Sequence, residues 1–207
     1  MPSDQSNGWD VIAPRFVAER SSVGAATVRA WCRALPKGAS VLDLGCGSGV
    51  PISEALLEEG CEVFGVDASP ALVAAFRRRF PQAKVACEPV EESRFFDRTY
   101  DGVVAVGLLF LLAPEVQRAV IRRVSAALKP NGRFLFTAPT QVATWKDTLT
   151  GRDSVSLGDE AYRNALDNAG LKVVGEHVDE GDNHFYDTAG VGAEVLCERR
   201  EPSPAAG

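Results

Sequence analysis

The run VLDLGCGSGVP, Val41 to Pro51, joins a short apolar segment to a helix through a turn with glycine at every other position. Val41–Leu44 reads as a strand, Gly45, Gly47 and Gly49 as the turn, and Pro51–Glu59 as a helix with proline in its first turn and Gly60 at its end. Glycine suits a turn whose backbone takes positive φ and lies against a ligand. The N–H groups at such a helix start face the carboxyl end of the strand, where open α/β sheets hold ligands.

Working outward, apolar runs alternate with helical patterns. Glu62–Asp67 is a second strand. Ser69 and Pro70 cap a helix carrying Leu72, Phe76 and Phe80 on one side, and Pro81 stops it. Lys84–Cys87 and the apolar Asp101–Val106 are further strands. Pro114–Leu128 is a helix with Val116, Val120, Val124 and Leu128 on one side. Lys129-Pro130-Asn131-Gly132 signals a sharp turn, and Arg133–Thr137 a fifth strand. This alternation predicts an α/β fold: a doubly wound, mostly parallel sheet with helices on both faces. Asp159–Ala169 is a last helix. Leu171–Val178 and His184–Asp187, linked by Glu180-Gly181-Asp182-Asn183, read as a hairpin whose final strand runs antiparallel. Helices near Asp10–Glu19 and Val23–Leu35 precede the sheet. The connection Ala138–Gly158 reads as a long binding loop.

Two carboxylates narrow the ligand. The turn spells GxGxG, without the GxGxxG spacing of dinucleotide sites, and no Lys-Ser or Lys-Thr follows as a phosphate loop requires. Asp43 precedes the turn, where it would repel a pyrophosphate and suit a ligand carrying positive charge. Asp67 ends the second strand about twenty residues after the turn, where a carboxylate can accept both ribose hydroxyls.

LDLGCGSG, GVDASP, YDGVVAVG and LKPNGRFLFTAP together resemble the class I S-adenosylmethionine-dependent methyltransferases, over roughly Ala39 to Pro139 and more weakly to Asp187. The resemblance implies a Rossmann-like fold and S-adenosylmethionine as cofactor, with S-adenosylhomocysteine as product. It implies that Asp43 and the backbone of Gly45, Cys46 and Gly47 hold the methionine end, that Asp67 holds the ribose, and that Ala68 lies beside the adenine. An acid after the third strand accepts the adenine amino group in that family. Here Glu88 and Glu91 both qualify, and Val90 is the better backbone donor because Pro89 has no N–H. Val106 and Gly107 match the place of a carbonyl for the cofactor's amino group.

Candidates for the acceptor side come from position. Trp9, Arg15, Phe16 and Arg20 lie on N-terminal segments that close over the cofactor in relatives of this type. Phe110 and Leu111 follow the fourth strand, Trp145 sits in the long connection, and Tyr186 is in the hairpin. His184 is the candidate base, because imidazole titrates near neutral pH. The division expected is a helical cap over residues 1–38, a catalytic domain over 39–190, and a tail over 191–207. A net charge of −6 disfavours nucleic acid as partner, so the acceptor expected is a small molecule. A protein acceptor, a non-catalytic cofactor-binding module and a nicotinamide-dependent oxidoreductase are the alternatives. Five scattered cysteines without CxxC fit reduced thiols in the cytoplasm. No metal-ligand spacing, leader peptide or membrane-spanning run is present in the sequence.

Overall fold

The computed structural model describes residues 4–190. The strands are β1 (Ser40–Leu44), β2 (Glu62–Asp67), β3 (Lys84–Cys87), β4 (Tyr100–Ala105), β5 (Leu128–Thr137), β6 (Val142–Lys146), β7 (Asp153–Leu157), β8 (Leu171–Val178) and β9 (His184–Gly190). The helices are α1 (Trp9–Glu19), α2 (Ala25–Cys32), α3 (Ile52–Glu58), α4 (Pro70–Arg79), α5 (Pro114–Ala127) and α6 (Asp159–Asn168).

Seven strands form one sheet in the order β3-β2-β1-β4-β5-β9-β8. β3, β2, β1, β4 and β5 pair in parallel, and β9 runs antiparallel between β5 and β8. The expected doubly wound sheet with an antiparallel hairpin strand is therefore present. Sheet residues alternate strictly between two cores. Leu42, Leu44, Val103, Phe134, Phe136 and Tyr186 face α5 and α6. Val41, Val104, Leu135 and Phe185 face α2 and α3, together with Phe76 of α4. The order reverses between β1 and β4, so the crevice at their carboxyl ends is the natural ligand site.

Three elements differ from expectation. Residues 128–132 do not leave the sheet: Leu128 already pairs with Tyr100, and Lys129–Gly132 bulge out before Arg133 rejoins opposite Gly102. Asn131, at φ +64°, supplies the left-handed residue of the bulge. The connection 138–158 is not a bare loop but the two-stranded ribbon β6–β7. Buried Gln117 of α5 anchors it by donating to the Val155 and Leu112 carbonyls. Residues 1–38 do not act as one cap. α2 belongs to the helical layer, where Trp31 is buried and its indole N–H donates to Asp187 of β9 at 3.1 Å. Residues 191–207, the expected tail, lie outside the described residues.

Candidate active site

The glycine turn folds back onto the end of β2. Gly45 and Cys46 N–H both donate to the Val66 carbonyl, at 2.8 and 3.1 Å. Gly47, at φ +55°, donates its N–H to Asp67 Oδ2 at 2.8 Å. Gly49 fits where no side chain can: a Cβ there would lie 2.5 Å from Phe80 and 2.9 Å from Phe76. Ser69 N–H donates to Asp67 Oδ1 at 2.8 Å. Each Asp67 oxygen thus takes one backbone N–H and keeps a lone pair. Burial raises the Asp67 pKa, and the two backbone hydrogen bonds oppose that rise.

Behind this floor opens a cavity of about 610 Å³, within the range of small-ligand sites. Gly45, Cys46, Gly47, Asp67, Ala68, Val106 and Gly107 line one side, and Pro89, Val90, Glu91 and Glu92 line a second. Gly107 is held by its N–H donating to Thr137 Oγ1 at 2.7 Å. Arg123 of α5 fastens the loop after β3 by donating to the Val90 carbonyl at 2.7 Å and to the Ser93 carbonyl. Its guanidinium also lies over Phe95, 4.5 Å from the ring centre.

The N-terminal segment covers the opening with Trp9, Phe16 and Arg20. Phe16 lies against the turn, 3.4 Å from where a Gly47 Cβ would stand. Arg20 donates through Nε to the Val50 carbonyl at 2.9 Å and stacks over Phe16. A chain of bonds moors α1. Asp4 accepts from Ser6 and Gly8, Ser6 Oγ accepts from Asp10 N–H, and Asp10 Oδ1 accepts from Ser69 Oγ and Ala71 N–H at 2.7 and 2.8 Å. Phe110, Leu111 and Leu112, with Asp147 and Leu149 of the ribbon's turn, form the far wall.

Several sequence candidates stand elsewhere. Asp43 lies beneath the turn, 2% exposed and outside the cavity wall, and accepts from Ser53 Oγ at 2.6 Å. Burial pushes its pKa up to about 7, and nearby Arg20 opposes this. Of the two acids left open, Glu91 lines the cavity and Glu88 does not. Trp145 stands behind Phe110, ring centres 5.5 Å apart. Arg15 pairs with Glu19 on the outer face of α1. His184 and Tyr186 ride on β9, on the far side of β5 from the cofactor strands. The His184 ring faces Glu176 at 3.3 Å, while Tyr186 is fully buried against Phe136 and donates to Asp159. His184 is therefore not among the residues that line the cavity, and its ring is engaged with Glu176 instead. Sequence reading missed Asp4, Asn7, Leu72, Glu92, Leu112, Asp147 and Leu149. Leu72 was legible only as a core position of α4, and the others sit on irregular segments without periodicity, so no signal marked them as cavity residues.

Among the described residues the cavity's charged lining is Asp4, Asp67, Glu91, Glu92 and Asp147 against Arg20. That balance repels a pyrophosphate and attracts a positively charged nucleoside. Burial holds the Cys46 thiol well above its usual range, so it stays neutral. Among the described residues no group of three or more His, Cys, Asp or Glu is placed to hold a metal. No described helix is long and apolar enough to cross a membrane.

Residues 41–132 match the family model described as "Methyltransferase domain". No curated protein matches in sequence. Among solved structures, magnesium protoporphyrin IX methyltransferase from Synechocystis PCC 6803 superposes with TM-score 0.71 at 16% identity, covering 91% of this chain and 98% of that one. The 1,6-didemethyltoxoflavin-N1-methyltransferase of Burkholderia thailandensis gives 0.69 at 19% identity, covering 88% and 84%. CalS10, an amino pentose methyltransferase from Micromonospora echinaspora, gives 0.67 at 18%, covering 86% and 95%. At these identities the likeness establishes the Rossmann-like methyltransferase fold.

Proposed function

We propose that this chain, whose residues 41–132 match a methyltransferase-domain model, is a class I, Rossmann-like methyltransferase that transfers a methyl group from S-adenosylmethionine to a small organic acceptor. When bound, that cofactor supplies a methyl carbon made electrophilic by the adjoining sulfonium. The residues present fit it. Asp67, with both oxygens oriented by backbone N–H groups and a lone pair left on each, receives the ribose hydroxyls. Val90 N–H and Glu91, on the loop that Arg123 fastens, receive the adenine edge, with Ala68 and Leu72 along its face. The bare backbone of Gly45 to Gly47 and the carbonyls at Val106 and Gly107 receive the methionine end. Asp43 acts from below, bonded to Ser53 beneath the turn whose backbone meets that end, and its charge there depends on pH.

Methyl displacement from a sulfonium releases a neutral leaving group, so no acid is needed. Rate enhancement comes from alignment and from water exclusion. Trp9, Phe16 and Arg20 exclude water from above, and Phe110 and Leu111 hold the acceptor in line. Several neighbours by fold act on small molecules by their descriptions: a porphyrin, a toxoflavin precursor and an amino pentose. A cavity of about 610 Å³, part of which the cofactor takes, supports a small acceptor over a polypeptide or nucleic acid. The cysteines that the structure describes are free thiols, which supports a cytoplasmic setting.

The Asp67 carboxylate, held open at the cavity floor, carries this reading. Calorimetric titration with S-adenosylhomocysteine and with NADH tests it. Binding of the first alone is expected. Asp67→Ala removes both ribose acceptors, and a loss of about 10–100-fold in affinity follows from two hydrogen bonds to a charged group. Binding of NADH, or an unchanged affinity in Asp67→Ala, contradicts the assignment.

A further inference from the structure

The groups assigned to the cofactor stand at the ends of β1, β2 and β3 and beside β4. The part of the cavity beyond them, over β4 and β5 and under the ribbon, is left for the acceptor. Its wall is apolar, built from Phe110, Leu111, Leu112 and Leu149, with Trp145 bracing Phe110 from behind. Of the cavity residues from Val106 to Leu149, Asp147 alone is charged.

Asp147 is oriented by its own turn. Oδ1 accepts from Leu149 N–H at 3.1 Å, Thr150 N–H at 2.7 Å and Thr150 Oγ1 at 2.8 Å. All of its hydrogen bonds from described residues fall on Oδ1, which leaves Oδ2 for a ligand. The turn also meets the N-terminal cover: a Cβ on Gly8 would stand 3.6 Å from Thr150 Cβ and from Arg152 Nε. The carboxylate thus sits under a roof, where water screens its charge less than at an open surface. Among the described residues the one cation lining the cavity, Arg20, is engaged across the turn with Val50 and Phe16.

We propose that the acceptor is an amine: a small molecule whose ammonium group binds Asp147 Oδ2 while its apolar skeleton lies against Phe110, Leu111 and Leu112. The ammonium gives one proton to that carboxylate. With the freed lone pair the nitrogen forms the N–C bond as the methyl–sulfur bond breaks, so that a neutral thioether leaves and the positive charge passes to the methylated nitrogen. This deepens the methyl-transfer reading and rests on it. An acceptor carrying a carboxylate or phosphate at that end meets the Asp147 charge, with no cation beside it among the described lining residues from Val106 to Leu149. An alcohol of the same shape gains one hydrogen bond but no ion pairing. A cation gains from Asp147 and from the faces of Phe110 and Trp9 as well.

Three probes of one shape separate these cases: 2-phenylethylamine, 2-phenylethanol and phenylacetate. Each is titrated by ligand-observed NMR into protein saturated with S-adenosylhomocysteine. The amine is expected to bind about tenfold or more tighter than phenylacetate, the scale of a hydrogen bond to a charged group, with the alcohol between. Asp147→Asn retains the Oδ1 acceptor that the turn needs, so it is expected to keep its affinity for S-adenosylhomocysteine and lose the preference for the amine. The inference is overturned if phenylacetate binds as well as the amine, if the amine does not bind at millimolar concentration, or if the preference survives in Asp147→Asn. Failure of S-adenosylhomocysteine to bind the wild-type protein would appear in the preceding titration and would remove the cofactor assignment itself.

Discussion

Asp43 and Asp67 belong to one electrostatic arrangement, yet only one of them could be placed from the sequence. Asp67 ends a strand at a fixed distance from the glycine turn, so backbone geometry alone delivers it to the crevice. Asp43 is held below the turn by Ser53, because β1 is central and its residues are covered on both sides. That burial makes Asp43 a source of pH dependence. Its folded pKa of about 7 stands above the value near 3.9 of an unfolded aspartate. The folded state therefore keeps a proton that the unfolded state has lost. The stabilisation is full below about pH 4 and is lost as pH rises through about 7. Asp43→Asn keeps an oxygen for Ser53 and removes the titration. Thermal unfolding between pH 5 and pH 8 is expected to show a larger fall in Tm for the wild type than for Asp43→Asn. Parallel curves would place the ionisation of Asp43 outside this range. His184, by contrast, has only its imidazole chemistry to mark it, and nothing in a single hairpin's sequence says that its ring will turn to Glu176.

Periodic elements were legible and irregular ones were not. The parallel strands announce themselves by continuous apolar runs, since both faces are buried. β6 could not, because Val142–Lys146 is exposed at nearly every position and has no buried face to alternate with. Its stability comes from tertiary ties such as Gln117, which local sequence does not encode. Arg123 shows the same limit. Beside Arg122 it reads as part of a solvated helix face, yet in the fold it joins α5 to the loop after β3 through two carbonyls and the Phe95 ring. Removing it leaves both carbonyls to find water and frees the loop bearing Val90 and Glu91. Arg123→Met keeps the stem that packs on Phe95 and is expected to weaken S-adenosylhomocysteine binding about tenfold, as lost charged hydrogen bonds do. Arg122→Met, on the exposed side, is expected to change nothing. Equal affinities for the two variants in calorimetry would show that the clamp does not reach the adenine site.

Across the whole molecule, stability and access to the cavity are assigned to different parts of the chain. Both cores lie between the sheet and helices α2 to α6, and α2 is tied into one of them by Val28, Trp31 and Cys32. α1 buries only Ala13 and carries Pro14 within its span, so little apolar area fastens it. Its attachment depends on Asp10, which caps α4 in trans through Ser69 Oγ and Ala71 N–H. Composition and motif group α1 and α2 together as a cap, because nothing in either segment alone reveals that one is in the core and the other is held mainly by polar ties at its two ends, Asp10 to α4 and Arg20 to Val50. Ser69 links the two functions, since its N–H orients Asp67 while its hydroxyl holds Asp10. Asp10→Ala cuts the mooring and leaves the cores intact. The global Tm is expected to stay within a few degrees of wild type, because about 1 kcal/mol of capping energy is lost. Cover and cofactor should respond more strongly. Release of S-adenosylhomocysteine, followed by stopped-flow fluorescence of Trp9, is expected to speed up about tenfold, and limited proteolysis should cut first between α1 and α2. If release and cleavage both match the wild type, α1 is held by contacts other than Asp10. If Tm falls in step with them, α1 is part of the core.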